Sequence, residues 1–158
     1  MAITRLGGAN AITGTIPNSN LAAGNVIQVS DMVIITSAQT LTSATYTDLT
    51  SATINITPSS TSNKIILTAN INAKYDAAIT GYGIKFLRDS TSIFTTSQNY
   101  ANYKQNDNDR LMQFWNYIDA PSSTSELTYK IQTNVHNSGP VIFQDSSQST
   151  FYLMEIAG

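Results

Sequence analysis

Few of the side chains that catalyse reactions in proteins occur in this sequence. The 158 residues include one histidine, His136, and no cysteine. A Ser-His-Asp triad would need His136 as its base, yet the sequence has no Gly-x-Ser-x-Gly nucleophile turn and no glycine-rich phosphate loop. His136 falls among the polar residues of an alternating segment, which predicts a solvated side chain. We therefore expect no catalytic residues, and a protein that is not an enzyme.

The densest group of carboxylates and amides is Asn-Asp-Asn-Asp at 106–109. Asn106, Asp107 and Asp109 carry oxygens of the kind that bind calcium, but the central glycine and terminal glutamate of an EF-hand loop are missing. A polar loop that leads into the next strand is the alternative interpretation. Paired carboxylates for glycoside hydrolysis need not be close in sequence, but the chain has only 10 acidic residues. We expect neither a metal site nor a cofactor.

Two tyrosines, Tyr100 and Tyr103, stand in the polar segment SQNYANYKQNDND. Exposed tyrosine rings on a polar loop can stack on sugars or contact another protein, because each ring combines a large apolar surface with a hydroxyl group. The loop is therefore a candidate site for a host receptor or glycan. Alternatively, the two rings hold the loop against its own sheet.

The composition disfavours two classes of partner. Charged residues make up only 11% of the chain and the formal net charge is −2, which argues against a nucleic acid held by phosphate contacts. No stretch approaches the roughly 20 apolar residues of a membrane helix, and the N-terminal residues lack the apolar core of a signal peptide. We expect neither a nucleic-acid nor a membrane partner.

Beyond about residue 25, apolar and polar residues alternate in segment after segment. In KIILTANINA, residues Ile65, Leu67 and Ile71 share one face and Thr68 and Asn70 the other. Such alternation is typical of half-buried strands. Roughly nine or ten such segments, with turn residues between them and no helical spacing, predict an all-β fold, an antiparallel β-sandwich or jelly roll. The predicted head domain spans residues 26–158.

Two of the predicted strands are apolar on both faces. In the C-terminal strand, Phe151 and Leu153 point to one face, and Tyr152, Met154 and Ile156 point to the other. In the segment RLMQFWNYI, apolar residues also occupy both faces. Only one face of a sandwich strand meets the core, so the second face predicts a subunit interface. Covering loops from the same domain are the alternative. The predicted interface residues are Tyr152, Met154, Ile156, Trp115 and Tyr117.

Residues 1–25 differ from the rest of the chain. Glycines and Pro17 interrupt them, and isolated apolar residues recur without the spacing of a helix or a strand. The segment predicts an extended N-terminal arm whose apolar residues need a surface to dock on; a flexible tail is the alternative. The predicted anchoring residues are Ile3, Leu6, Ile12, Ile16 and Leu21.

Several segments, in this order, resemble small virion structural proteins of tailed bacteriophages, including phages of cyanobacteria. They are GANAITGTIPNSNLAAGNVIQV, ITPSSTSNKIIL, GIKFLRDST, DAPSSTSELTYKIQ and STFYLMEIAG. The resemblance implies a homotrimeric jelly-roll head similar to those of tumour necrosis factor and C1q. It also implies an N-terminal segment that attaches the head to the virion, with the major capsid protein or other virion proteins as partners.

This resemblance leaves two functions open. A capsid decoration or cement protein would grip the shell through its arm and stabilise it. A tail-fibre or adaptor tip would present the loop at 97–109 to a host receptor or glycan. A fibre normally needs a long shaft of coiled coil or repeats, and the sequence has one short arm and one head. We therefore favour decoration of the capsid surface and keep the tail as the alternative location.

Overall fold

The computed structural model describes residue 17 and residues 21–106, 108–137 and 139–158. Strands make up the regular structure of these residues, and none of them lies in a helix. The strands are β1 (Val26–Val29), β2 (Val33–Ile35), β3 (Gln39–Leu41), β4 (Thr47–Ile56), β5 (Lys64–Tyr75), β6 (Thr80–Arg88), β7 (Thr91–Thr95), β8 (Asn102–Lys104), β9 (Arg110–Asp119), β10 (Leu127–His136), β11 (Val141–Phe143) and β12 (Ser149–Ile156).

The strands form two antiparallel sheets. In the first sheet, β9 pairs with one edge of β5, and β11 and β12 pair with the other edge; β12 also pairs with β1 and β2, and β11 with β3. In the second sheet the order is β4-β10-β6-β7, with β8 also beside β6. The chain passes repeatedly from one sheet to the other, and its first and last strands are neighbours. This is the connectivity of a jelly roll, and it confirms the predicted all-β sandwich.

The core lies between the two sheets and follows the alternation seen in the sequence. Ile65, Leu67 and Ile71 of β5 are fully buried. They face a second sheet that contributes Ile84 and Tyr129, which are also fully buried. Each such side chain contributes about 1.5–3 kcal/mol to folding when it leaves water. The predicted inward faces of β5, β10 and β12 are therefore confirmed.

Strand β4 begins earlier than the period-two pattern indicates. Leu49 and Ala52 are both buried although they are three residues apart, and the pairing of β10 with β4 shifts register beside them. Ser51 takes a positive φ of 66° at this point. A β-bulge adds one residue to a strand and so breaks its alternation. The sequence pattern therefore predicted only the regular half of β4, from Ala52 onward.

The pentapeptide Pro-Ser-Ser-Thr-Ser occurs twice, at 58–62 and 121–125, and the same serine hydrogen bond forms in each copy. The hydroxyl of Ser60 accepts a hydrogen bond from the backbone N–H of Ser62 at 3.3 Å. At the matching positions of the second copy, the Ser123 hydroxyl accepts from the N–H of Ser125 at 3.0 Å. The hydroxyls thus satisfy backbone donors that no strand pairs, as the sequence predicts for serine-rich turns.

A buried carboxylate ties the first of these turns to the C-terminal strand. The side chain of Glu155 accepts hydrogen bonds from the Asn63 amide at 2.5 Å, the Gln28 amide at 2.6 Å and the backbone N–H of Ser59 at 2.7 Å. Burial alone would raise the pKa of this carboxyl, but these bonds favour its charged form and outweigh burial, so its pKa lies below the ordinary 4.5.

We expect Glu155 to make the fold sensitive to acid. Its pKa is lower in the folded than in the unfolded chain, so its stabilisation is complete above the ordinary pKa of 4.5. It is lost as pH falls through the folded value. Glu155→Gln should lower the free energy of unfolding at neutral pH by about 1.5–3 kcal/mol and flatten its fall below pH 4.5. Urea unfolding at a series of pH values measures both, and parallel pH profiles for the two proteins would contradict the assignment.

Candidate assembly interface

The first sheet has one face toward the core and one face away from it, here called the outer face. Three residues of β12 predicted to form an interface, Tyr152, Met154 and Ile156, project from the outer face and are half-buried. The neighbouring strands add further apolar side chains to the same face. They are Val26, Val29, Ile34, Ile66, Met112, Phe114 and Ile118.

Strand register places these side chains in rows across the sheet. Ile66 of β5 lies opposite Met154 of β12 on one side and Ile118 of β9 on the other. Met154 in turn lies opposite Val29 of β1. Because neighbouring strands are about 4.8 Å apart, this row extends roughly 15 Å across four strands. Its members are all aliphatic or thioether side chains, so the row forms a continuous apolar band.

Two apolar side chains that β9 presents on the outer face are strongly exposed. Phe114 is 72% exposed and Ile118 is 59% exposed. Single exposed apolar residues are common, but soluble monomers rarely show contiguous apolar patches beyond a few hundred Å². In the next row, polar Asn116 and Thr68 stand beside Tyr152. The outer face with these rows covers about 15 by 20 Å of sheet, which is the size of the largest apolar patches on monomers, and such patches are often functional. It therefore has the size and character of the apolar centre of a protein interface.

Polar side chains on the outer face are uncharged in the middle and charged only at its ends. The hydroxyl of Thr68 donates to the Asn116 amide oxygen at 3.0 Å, so these two groups satisfy each other within the sheet. The charged residues Lys64 and Arg110 are the first residues of β5 and β9, and Lys74 is the second-to-last residue of β5, opposite Arg110. No ion therefore has to lose its hydration when another surface covers the apolar band.

The structure places two of the predicted interface residues on the other side of β9. Trp115 and Tyr117 point inward, where their rings lie 6.0 Å and 5.5 Å from the ring of Phe94 on β7. They close the gap between the edge strands of the two sheets. The outward positions of β9 belong instead to Phe114 and Ile118. Since both sets are apolar, alternation alone could not decide between them.

Most of the predicted arm lies outside the described residues, including Ile3, Leu6, Ile12 and Ile16. Leu21 is half-buried beside the first Pro-Ser-Ser-Thr-Ser turn and the C-terminal residue. The next residues are tied to the end of the chain: the N–H of Gly24 donates to the Ala157 carbonyl at 2.8 Å, and the N–H of Ala157 donates to the Asn25 carbonyl at 2.8 Å. The chain therefore enters β1 at the margin of the outer face.

The two loop tyrosines differ from each other. Tyr100 is 77% exposed, as a recognition residue would be. Tyr103 lies in β8, and its ring packs edge-on against His136 at 5.8 Å between centroids. His136 is half-buried by this contact, although it does point outward from β10. One ring is therefore available for recognition, and the other helps to hold the loop on the second sheet.

The described residues contain no group of three histidine, cysteine, aspartate or glutamate side chains arranged to hold a metal ion. In the loop at 106–109, Asp107 is outside the described residues, and the Asp109 carboxylate pairs with the Lys104 ammonium at 3.6 Å. Within the described ranges there is also no helix long and apolar enough to cross a membrane.

Comparison with known proteins identifies the fold but no sequence relative. No protein-family model matches the chain, and no curated protein matches it. Among solved structures, it is similar to that of infectious bursal disease virus strain Gx, with a TM-score of 0.54 and 8% identity over 92% of this chain. It is also similar to the VP2 subviral particle of the same virus, with a TM-score of 0.53 and 8% identity over 92% of this chain. These two structures share this chain's fold. The chain corresponds to only 37% of the length of either protein.

Proposed function

We propose that this protein is a structural component of a virus particle, that it self-associates through the outer face of its first sheet, and that it has no catalytic role. The observation that carries the proposal is the apolar band across β1, β12, β5 and β9. At about 25 cal/mol per Å² of apolar area, covering several of these side chains stabilises an assembly by several kcal/mol. An interface of standard size needs about 800 Å² from each partner, and the band supplies its apolar centre.

A second copy of this chain fits the band better than a charged partner does. The surface carries charge only near the ends of its strands. When copies of this face meet around a symmetry axis, they bury apolar groups against one another without desolvating an ion, whereas a charged partner would lose hydration without gaining a counter-ion. The likeness of the fold to that of a protein solved as a subviral particle supports assembly as the role of this chain.

In more detail, we propose a homotrimeric decoration or cement protein on the capsid of a tailed bacteriophage. The resemblance of the sequence to small phage virion proteins supports the trimer and the capsid location. The arm, residues 1–25, would attach the head to the major capsid protein. Residues 21–25 leave the head at the edge of the first sheet, so an arm starting there can reach a shell without crossing the head.

Particle composition distinguishes this function from its alternative, a tail-fibre or adaptor tip that binds a host receptor. The exposed Tyr100 is the observation that favours the alternative. A decoration protein should be present in many copies per particle, and its loss should weaken capsids against heat. A tail tip should be present in few copies, and its loss should abolish adsorption while leaving capsids equally stable. Quantitative mass spectrometry of purified particles, with a capsid melting curve, separates the two.

Deleting residues 1–20 should detach the protein from particles without dissociating its oligomer. The apolar residues of the deleted segment supply the predicted grip on the shell, whereas the apolar band lies entirely in the head. Co-sedimentation of the purified protein with capsids that lack it should therefore show binding of the full chain and loss of binding for the truncated chain. Equal binding of the two would contradict the anchoring role, and dissociation of the truncated protein into monomers would place the arm in the subunit interface instead.

A further inference from the structure

A shallow groove of about 740 Å³ crosses the outward side of the second sheet, opposite the apolar band. Its floor is formed by β6 and β10, and its walls by the loop before β4 and the loop after β7. This volume is within the range of small-molecule sites. Residues that line it include Ala44, Tyr46, Lys85, Gln98, Gln132 and Asn134.

The two walls of the groove are bonded to its floor and to each other. The amide of Asn134 on β10 donates to the Ala44 carbonyl at 3.0 Å and accepts from the N–H of Gly83 at 3.1 Å. The amide of Gln98 donates to the same Ala44 carbonyl at 3.3 Å. These bonds join segments that are far apart in sequence, so the groove has a defined shape before any ligand binds.

A glycine in β6 allows an aromatic ring to lie across the floor. A Cβ atom on Gly83 would come within 2.6 Å of the Tyr46 hydroxyl and within 2.5 Å of the Asn134 amide oxygen. Only glycine therefore permits this close packing. The Tyr46 hydroxyl is held by the carbonyl of Thr96, in the opposite wall. The Tyr46 ring is therefore held by its close packing against Gly83 and by its hydrogen bond to Thr96.

Among the described residues, the lining of the groove includes one lysine, Lys85, and one histidine, His136. The Lys85 ammonium lies 4.1 Å from the centre of the Tyr46 ring, a distance at which the ring attracts the charge and orients it. Within the part of the chain that the structure describes, no carboxylate lines the groove. The nearby Asp48 carboxylate is engaged by the Lys130 ammonium at 3.5 Å and by the Gln132 amide at 2.7 Å. The lining of the groove thus has a positive charge that no lining residue neutralises.

We propose that this groove binds an oligosaccharide that contains an acidic sugar. Sugar hydroxyls both donate and accept hydrogen bonds, and amide side chains do the same. The C–H face of a sugar ring is apolar and packs on an aromatic face such as that of Tyr46. A sugar carboxylate provides the charge-assisted partner for Lys85. The loop after β7 brings exposed Tyr100 to the same side, so an extended ligand can continue beyond the groove.

This recognition role goes beyond the proposed structural function and does not depend on it, because the groove and the apolar band lie on opposite sheets. A host glycan and a capsular polysaccharide would present the same chemistry. Head domains displayed in many copies would bind a repetitive polysaccharide with increased avidity even when each groove binds weakly.

Isothermal titration calorimetry of the full chain with oligogalacturonate and alginate oligomers, and with maltohexaose as the neutral probe, tests the proposal. We expect at least one acidic probe to bind, and maltohexaose to bind at least about tenfold more weakly because it lacks the charge-assisted bond. Lys85→Gln should weaken the binding of the acidic probe by about tenfold or more, because the variant also lacks the charge-assisted bond. Lys64→Gln, which removes a cation from the other sheet, is the matched control and should leave the affinity for the acidic probe unchanged.

Two results would overturn the proposal. One is the absence of binding by every acidic probe. The other is an equal loss of affinity in the Lys85→Gln and Lys64→Gln variants, which would indicate attraction to net charge rather than binding in the groove. Amide-side-chain NMR shifts provide an independent readout: those of Gln98 and Asn134 should move on titration, while that of Asn116 on the outer face should not.

Discussion

Replacing both Phe114 and Ile118 with arginine should convert the assembled protein into a folded monomer. Both side chains are mostly exposed within one chain, so the fold does not depend on burying them. In the assembly, the substitution removes two buried apolar groups worth about 1.5–3 kcal/mol each. It also forces guanidinium groups to lose hydration without counter-ions, which costs several kcal/mol more. Self-association should therefore weaken by about a thousandfold or more.

The matched control is Thr53→Arg with Asn55→Arg on β4. These residues are exposed on the outward side of the second sheet, so the control adds the same two charges to the head at a different place. Sedimentation velocity of the three proteins, with circular dichroism to verify the fold, measures the effect. If the control dissociates as completely as the Phe114/Ile118 variant, the association depends on net charge and not on the outer face.

Asp119→Ala should lower the free energy of unfolding by about 1.5–3 kcal/mol, because the half-buried Arg88 guanidinium and the buried Tyr129 hydroxyl lose their acceptor. The Arg88 guanidinium donates to both Asp119 oxygens, at 2.9 and 2.8 Å, and the Tyr129 hydroxyl donates to the same carboxylate at 2.7 Å. Burial raises the pKa of the Tyr129 hydroxyl, and the carboxylate beside it raises that pKa further. The phenol therefore stays a proton donor. Removing Asp119 leaves both the Arg88 guanidinium and the Tyr129 hydroxyl without their acceptor.

Asp48→Ala provides the comparison for this variant, because it also breaks a carboxylate pair. The Asp48 side chain is 55% exposed and lies 3.5 Å from the Lys130 ammonium, and exposed ion pairs contribute about 1 kcal/mol or less. Urea unfolding at one protein concentration avoids differences due to assembly. Equal losses of stability in the two variants would show that the Asp119 network is not the buried support that its geometry indicates.

The sequence predicted the elements in which alternation is long and regular. β5, β10 and β12 each bury every second residue along most of their length, and the residues between them face away from the core. The inward and outward sides of these strands could therefore be assigned without a structure. Strands β1, β3 and β8 have only three or four residues. Segments this short show no period, and pairing with longer neighbours is what makes them strands.

The candidate interface was predicted in part, for a similar reason. Tyr152, Met154 and Ile156 could be assigned to the outer face because Phe151 and Leu153 identify the inward side of β12. In β9 both sides are aromatic or aliphatic, and the deciding contact is Phe94, which is distant in sequence and covers Trp115 and Tyr117. The groove around Tyr46 was not predicted, because residues 44–46, 83–85, 97–99 and 132–134 come together only in the folded chain.

Sedimentation equilibrium of the unmodified chain over a range of micromolar concentrations tests the central claim, that the outer face is covered by further copies of this protein. The account predicts a dominant species of three times the 17.1 kDa chain mass, with dissociation only on dilution. A single 17.1 kDa species at every concentration would contradict it, because the apolar band would then remain in water in the protein's stable state.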